Sequence, residues 1–154
     1  MLYEGTFAPP TGRLAIIASR FNSVVVDLLI TGAKDTLSRH GVAEDQCDLV
    51  RVPGSFEIPL IAQKLAQTGK YEAIICLGAI IRGDTDHYDH VAGGTTSGIA
   101  HASLKSDIPV IFGILTCENM DQAINRAGGK AGNKGSDAAL TAIEMVNLIK
   151  KLPK

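Results

Sequence analysis

Short apolar runs alternate with segments whose apolar residues recur every three or four positions, and the alternation persists along the whole chain. Nothing else in the sequence constrains the fold as strongly. A strand, a crossover helix and a second parallel strand connect with one hand, so repeated units build one parallel sheet with helices on both faces. The predicted strands are Leu14–Ala18, Asp48–Val52, Ala73–Leu77 and Val110–Leu115. The third is apolar throughout, as expected of a strand buried on both faces. Helices are predicted over about Val25–His40, Phe56–Gln67, His90–Lys105, Met120–Arg126 and Ser136–Lys151. In the first, Val25, Leu29, Ala33 and Leu37 share a face, Asn22 or Ser23 is placed to cap the start, and Gly41 stops it. In the second, Ile58, Ile61, Ala62 and Leu65 face inward, and Pro59 falls in the first turn, where it is tolerated. The expected class is α/β: a three-layer αβα sandwich with a central four-stranded parallel sheet. Leu2–Phe7 belongs to no strand–helix unit. It forms an N-terminal arm, free to add a strand to a neighbouring subunit's sheet.

A chain of 154 residues suits one domain over 1–154, and no repeat, linker or low-complexity tract divides it. The net charge is −1, from 15 basic and 16 acidic residues, which argues against nucleic acid or an anionic membrane as partner. A local phosphate site needs only a few cations and stays open. Cys47, Cys76 and Cys117 are far apart and form no C-x-x-C pair. That pattern fits a reducing compartment rather than a disulfide framework. Met1–Pro10 has no signal-peptide pattern, and the longest apolar run, Ala73–Ile81, is far below the ~20 residues of a membrane span. A cytoplasmic location is expected.

Ligands of open parallel sheets sit at the carboxyl ends of the strands. The chemically rich segments fall there: Ser19–Ser23, Pro53–Glu57, Gly78–His90 and the stretch after Leu115. Gly83–His90 carries Asp84, Asp86, His87, Asp89 and His90. Three readings fit it. It is a metal site, although the spacing matches no standard zinc or calcium pattern. It is a solvated loop whose Asp residues favour a helix N-terminus. Or it holds a general acid/base histidine, whose ordinary pKa near ~6.5 suits proton transfer at neutral pH. Arg126–Gly135 carries four glycines and three cations. It is an anion-binding turn or a flexible surface connection, and it is not a Walker A loop. Glu57 opens a helix, where it is stabilised by the helix N-terminus or serves as an acceptor for ligand hydroxyls. Phe21 and Phe56 lie at strand ends in a chain with only 5% aromatic residues, which suggests a platform for a flat ring.

Together these segments resemble the 6,7-dimethyl-8-ribityllumazine synthase family. The resemblance rests on Arg20-Phe21-Asn22, Val52–Pro59, Leu77–Gly83, Thr85 with His87-Tyr88, Phe112–Thr116 and Gln122 through Arg126 to Gly135, in family order over nearly the whole chain. It implies a flavodoxin-like sheet and a transferase of riboflavin biosynthesis. Such an enzyme condenses 5-amino-6-(D-ribitylamino)uracil with 3,4-dihydroxy-2-butanone 4-phosphate to 6,7-dimethyl-8-ribityllumazine, phosphate and water, without cofactor or metal. By resemblance, Phe21 stacks on the pyrimidine, Ser55 and Phe56 make backbone contacts, and Glu57 accepts from the ribityl chain. Ile80 and Ile81 offer main-chain contacts. Gly83, Asp84 and Thr85 form the phosphate-side loop, Arg126 is its cation, and His87 is the acid/base. Phe112, Lys134 and Arg126 match residues supplied by an adjacent subunit, so the site is expected to be shared. The resemblance further implies a homopentamer, twelve pentamers in an icosahedral 60-mer shell, and association with riboflavin synthase. A Schiff-base lyase using Lys130 or Lys134, a related riboflavin synthase, and a non-catalytic lumazine- or flavin-binding module are the competing readings. Asp84 puts a negative charge beside the phosphate loop, and Arg82 is either a site cation or structural.

Overall fold

Side-chain parity along the strands decides the layers. In β1 (Arg13–Ser19), Leu14, Ile16 and Ala18 enter one apolar core while Ala15 and Ile17 enter another. The same split divides β3 (Tyr71–Ile81): Ala73, Ile75, Leu77 and Ala79 face the first core, and Ile74, Cys76 and Ile80 the second. β3 is buried without a break from Ala73 to Ile80, so both its faces are covered. In the computed structural model, which describes residues 1–154, β2 (Cys47–Val52) and β4 (Val110–Cys117) complete a parallel sheet of order β2-β1-β3-β4. This is a three-layer, flavodoxin-like α/β fold.

Helices α1 (Ser23–Arg39) and α5 (Lys134–Lys151) cover the first face. They contribute Val25, Val26, Leu29, Ala33 and Leu37, and Ala138, Ala139, Ala142, Ile143 and Val146. Helices α2 (Ile58–Gln67) and α3 (His87–Ser106) cover the second, chiefly through Ile58, Ala62, Ile99 and Ala102. A short α4 (Met120–Arg126) and an antiparallel hairpin, β5 (Ala127–Gly129) with β6 (Gly132–Asn133), link β4 to α5. Gly41 ends α1 as expected: its φ is 83°, and the N–H groups of Gly41 and Val42 donate to Ser38 O and Leu37 O in a Schellman pattern.

Some boundaries differ from the sequence reading. β3 runs to Ile81 instead of stopping at Leu77, because β4 keeps pairing with it as far as Ile81↔Cys117. α3 begins at His87 instead of about His90. Asp86 takes the N-cap, and its carbonyl accepts the N–H groups of Asp89 and His90. α5 begins at Lys134, capped by Asn133, whose Oδ1 accepts Ser136 N–H at 3.1 Å. Asn22 sits at the α1 N-cap, but its side chain makes no capping bond. The N-terminal arm forms no strand and lies along α5 of its own chain. Asn147 Nδ2 donates to Thr6 O and Ala8 O, and Lys151 Nζ donates to Glu4 O. All three cysteines are free. Burial pushes the Cys47 thiol up to about 11 and also raises Cys76 and Cys117. No helix is long and apolar enough to cross a membrane.

The α1–α5 crossing depends on Gly135. It is buried, and a Cβ there would strike the backbone of Leu29. Neither helix backbone can yield without disturbing the first core. Gly135→Ala is therefore expected to lower stability by about 1–3 kcal/mol, the usual cost of overpacking. Denaturant unfolding at fixed chain concentration measures it, and an unchanged midpoint would contradict the close crossing.

Candidate active site

The order of the sheet reverses between β1 and β3. β1 is followed by β2 on one side, and the chain then crosses to place β3 on the other. A crevice opens outside the carboxyl ends at such a point. Here it is a cavity of about 580 Å³, a volume ordinary for small-molecule sites. The β1–α1 turn supplies Phe21 and Asn22, the turn after β2 supplies Pro53 to Glu57, and the end of β3 supplies Ala79 to Ile81. The start of α3 supplies His87, Tyr88, His90 and Val91.

Each wall has a local cause. The Arg20 and Phe21 N–H groups donate to Val52 O and Pro53 O, which stitches the β1–α1 turn to the exit of β2. The Phe21 ring is left 73% exposed at the mouth, and with Phe56 it gives the cavity an exposed apolar lining of the kind that marks a ligand groove. Phe56 is also exposed, and it is seated against α3 at Gly94, where a Cβ would collide with the ring. Glu57 folds back so that Oε2 accepts Gly54 N–H at 3.0 Å. A carboxylate has a second oxygen, so an acceptor remains for a ligand. Ser55 is buried at the base. His87 is exposed on the first residue of α3, and its N–H donates to Thr85 Oγ1 at 3.3 Å.

A second hollow of about 370 Å³ lies on the β4 side and is lined by Phe112, Thr116, Arg126, Lys134 and Asp137, among others. It shares no residue with the first. Arg126 is exposed, and its guanidinium donates back to Gln122 O. Thus the sequence-predicted residues divide. Phe21, Ser55, Phe56, Glu57, Ile80, Ile81 and His87 meet in one cavity, and Phe112, Arg126 and Lys134 in the other. Gly83, Asp84 and Thr85 are exposed between β3 and α3 and line neither. No group of three or more His, Cys, Asp and Glu side chains is placed to hold a metal ion.

The comparison with protein families settles the kinship. The description 6,7-dimethyl-8-ribityllumazine synthase matches residues 11–150. The chain belongs to that family. The lumazine synthases are transferases of riboflavin biosynthesis, and the matched span includes both hollows.

Lumazine synthase motifs in the sequence covered most of the first cavity, Asn22 and Tyr88 included though without a site role, but missed Val91 and, apart from its place in the Asp/His cluster, His90. Tyr88 and Val91 are one helical turn apart, a signal hidden because α3 was expected to start later. Arg82 lines neither hollow. Its Nε pairs with Glu118 at 3.0 Å, an Nη with Asp89 at 3.4 Å, and its guanidinium lies 4.3 Å from the centre of the Tyr88 ring. The Glu118 carboxylate holds its pKa above the usual arginine value. Arg82 thus ties the end of β3 to the end of β4 and to the first turn of α3. Arg82→Met keeps the stem but removes both ion pairs. Hydrogen exchange over Gly83–His90 is expected to quicken, and an unaltered exchange pattern there would refute the tie.

Proposed function

We propose that the chain condenses 5-amino-6-(D-ribitylamino)uracil with 3,4-dihydroxy-2-butanone 4-phosphate, releasing 6,7-dimethyl-8-ribityllumazine, phosphate and water, the penultimate step of riboflavin biosynthesis. The observation that carries this reading is the 580 Å³ cavity, which gathers an exposed aromatic ring, a carboxylate and a histidine in a chain of the lumazine synthase family. The pyrimidine stacks on Phe21, with its edge against the main chain of Ile80 and Ile81. Main-chain groups of Ser55 and Phe56 contact it, and Glu57 accepts from the ribityl hydroxyls. The phosphate lies toward Gly83, Asp84 and Thr85, with Asp84 turned outward so that its carboxylate avoids the anion.

The substrate's 5-amino group attacks the ketone carbonyl, and one water leaves as the imine forms. A proton is then removed from the carbon chain and the C–O bond to phosphate breaks, which expels inorganic phosphate. The enol so formed becomes a ketone, the ribitylamino nitrogen closes on it, and a second water departs. His87 moves the proton in the elimination. Arg126 stabilises the departing phosphate electrostatically. Holding the two substrates together supplies much of the rate, since the amine is itself the nucleophile. Mixing both substrates with the protein should yield lumazine absorbance and fluorescence, and their absence would sink the reading. With saturating substrates, His87→Ala should lower kcat by about 10²–10⁴-fold, the usual range for a general acid/base; an unchanged kcat would remove His87 from the mechanism.

The site is shared. Arg126, Lys134 and Phe112 of one copy complete the His87 cavity of the next, so a monomer is inactive. Joining two different faces head to tail closes a ring when the rotation allows. The ring is a pentamer, and twelve pentamers form an icosahedral shell that can associate with riboflavin synthase. The compact turn between α4 and α5 favours the shell. The separation of the two hollows supports the sharing. Co-assembled His87→Ala and Arg126→Ala chains should recover activity, because about a quarter of randomly mixed head-to-tail sites pair an intact His87 with an intact Arg126. No recovery above the separate variants would place both groups in one chain. Light scattering tests the assembly: a mass of five chains would exclude the shell.

A further inference from the structure

Asn22 is one of only two non-glycine residues with positive φ, the other being Asp107. At φ 60° and ψ 42° it occupies the left-handed region, which asparagine tolerates better than most side chains. Its backbone carbonyl accepts the Val25 and Val26 N–H groups and so starts α1. Its side chain turns away from the helix. Nδ2 donates to Ala79 O at 2.8 Å, across 57 residues of sequence.

That bond replaces a missing rung of the sheet. β1 pairs with β3 only as far as Ala18↔Leu77, whereas β4 follows β3 to Ile81↔Cys117. Ala79 therefore overshoots its β1 neighbour. A buried carbonyl there needs a donor, because unpaired backbone groups away from water are costly. Ala79 is 3% exposed and forms part of the cavity wall, as does Asn22. The amide thus closes the sheet edge and fixes the Phe21 turn against the end of β3.

We propose that Asn22 is a positioning residue that sets the width of the heterocycle slot between the Phe21 ring and the main chain of Ile80 and Ile81. The inference rests on the reading of this cavity as the pyrimidine site. It assigns Asn22 no contact with the reacting atoms. Two demands meet in one residue: tolerance of the left-handed backbone, and a side-chain donor of the right length.

Two variants separate these demands. Asn22→Gly keeps the backbone and deletes the donor. Asn22→Asp is nearly isosteric but presents a carboxylate oxygen to the Ala79 carbonyl. In both, KM for the pyrimidine substrate should rise about tenfold or more. KM for the butanone phosphate should stay within about twofold, since the neighbouring copy's cations hold it. Hydrogen exchange should quicken at Phe21–Val24 and Ile80–Arg82, with circular dichroism and assembly mass unchanged. Unchanged exchange and KM in folded variants would overturn the proposal. So would equal rises in both KM values together with loss of assembly, the mark of a merely structural residue. If the wild type makes no lumazine, the functional reading has failed instead, and the exchange pattern still decides whether Asn22 holds the wall.

Discussion

The molecule is organised around unequal strand lengths in one sheet. β3 is the central apolar strand, and its backbone must be paired laterally because helices cover both its faces. β4 satisfies one edge to the end, while β1 stops short on the other. A crevice at the sheet reversal and an unpaired carbonyl in its wall are two consequences of one geometry. The chain answers the second with a side chain, Asn22, and uses the first as a cavity. The polar groups of the cavity come from the turns after β1, β2 and β3, as expected where strands end and helices begin.

The same sheet explains why one chain does not assemble the whole constellation. The first cavity is built on β1, β2 and the near edge of β3, and the second hollow lies along β4 and the start of α5. Arg82, just past the end of β3, is engaged by Glu118, Asp89 and Tyr88 and lines neither hollow. The hairpin between Arg126 and Lys134 is itself tied down, since Ala131 N–H donates to Asn125 O and Asn133 Nδ2 to Leu28 O. Held in this way, the loop lies on the β4 side, away from the His87 cavity. It is suited to present cations to another surface.

Much of this was legible in the sequence where burial is one-sided and periodic. Val25, Leu29, Ala33 and Leu37 marked the inner face of α1, and Gly41 its end. The start of α3 was illegible for a physical reason. Its first turn carries His87, Asp89 and His90, and its interior carries Gly93, Gly94 and Gly98, so composition speaks for a loop. Those glycines matter to packing: Gly94 admits Phe56, and Gly98 admits Pro59. Close approach of α3 to α2 is bought with a weak apolar stripe, which erases the usual helical signature. Gly78–Ile81 failed differently. An apolar run at a strand end fits a strand or a rim loop equally, and only the length of β4 decides between them. Asn22 was legible as a cap by residue type, but its side-chain bond crosses the fold and leaves no local trace.

The placement of the phenylalanines links the fold to the proposed chemistry. The buried cores are built from leucine, isoleucine, valine, alanine and cysteine, with no phenylalanine among them. Phe112 alone packs against a core, from its edge and partly buried, while Phe21 and Phe56 on the first cavity and Phe7 on the arm are exposed. Folding alone gives no reason for exposing Phe21 and Phe56. Aromatic rings bury more surface than any aliphatic side chain, so a chain selected only for stability would place them inside. Exposed rings gain that free energy only when something covers them. On the proposed reading, the surface that covers Phe21 is the flat heterocycle. On the same reading, the free edge of Phe112, beside Arg126 and Lys134, meets that ligand from the neighbouring copy. Substrate binding and association of subunits would then draw on apolar surface that the monomer leaves unused.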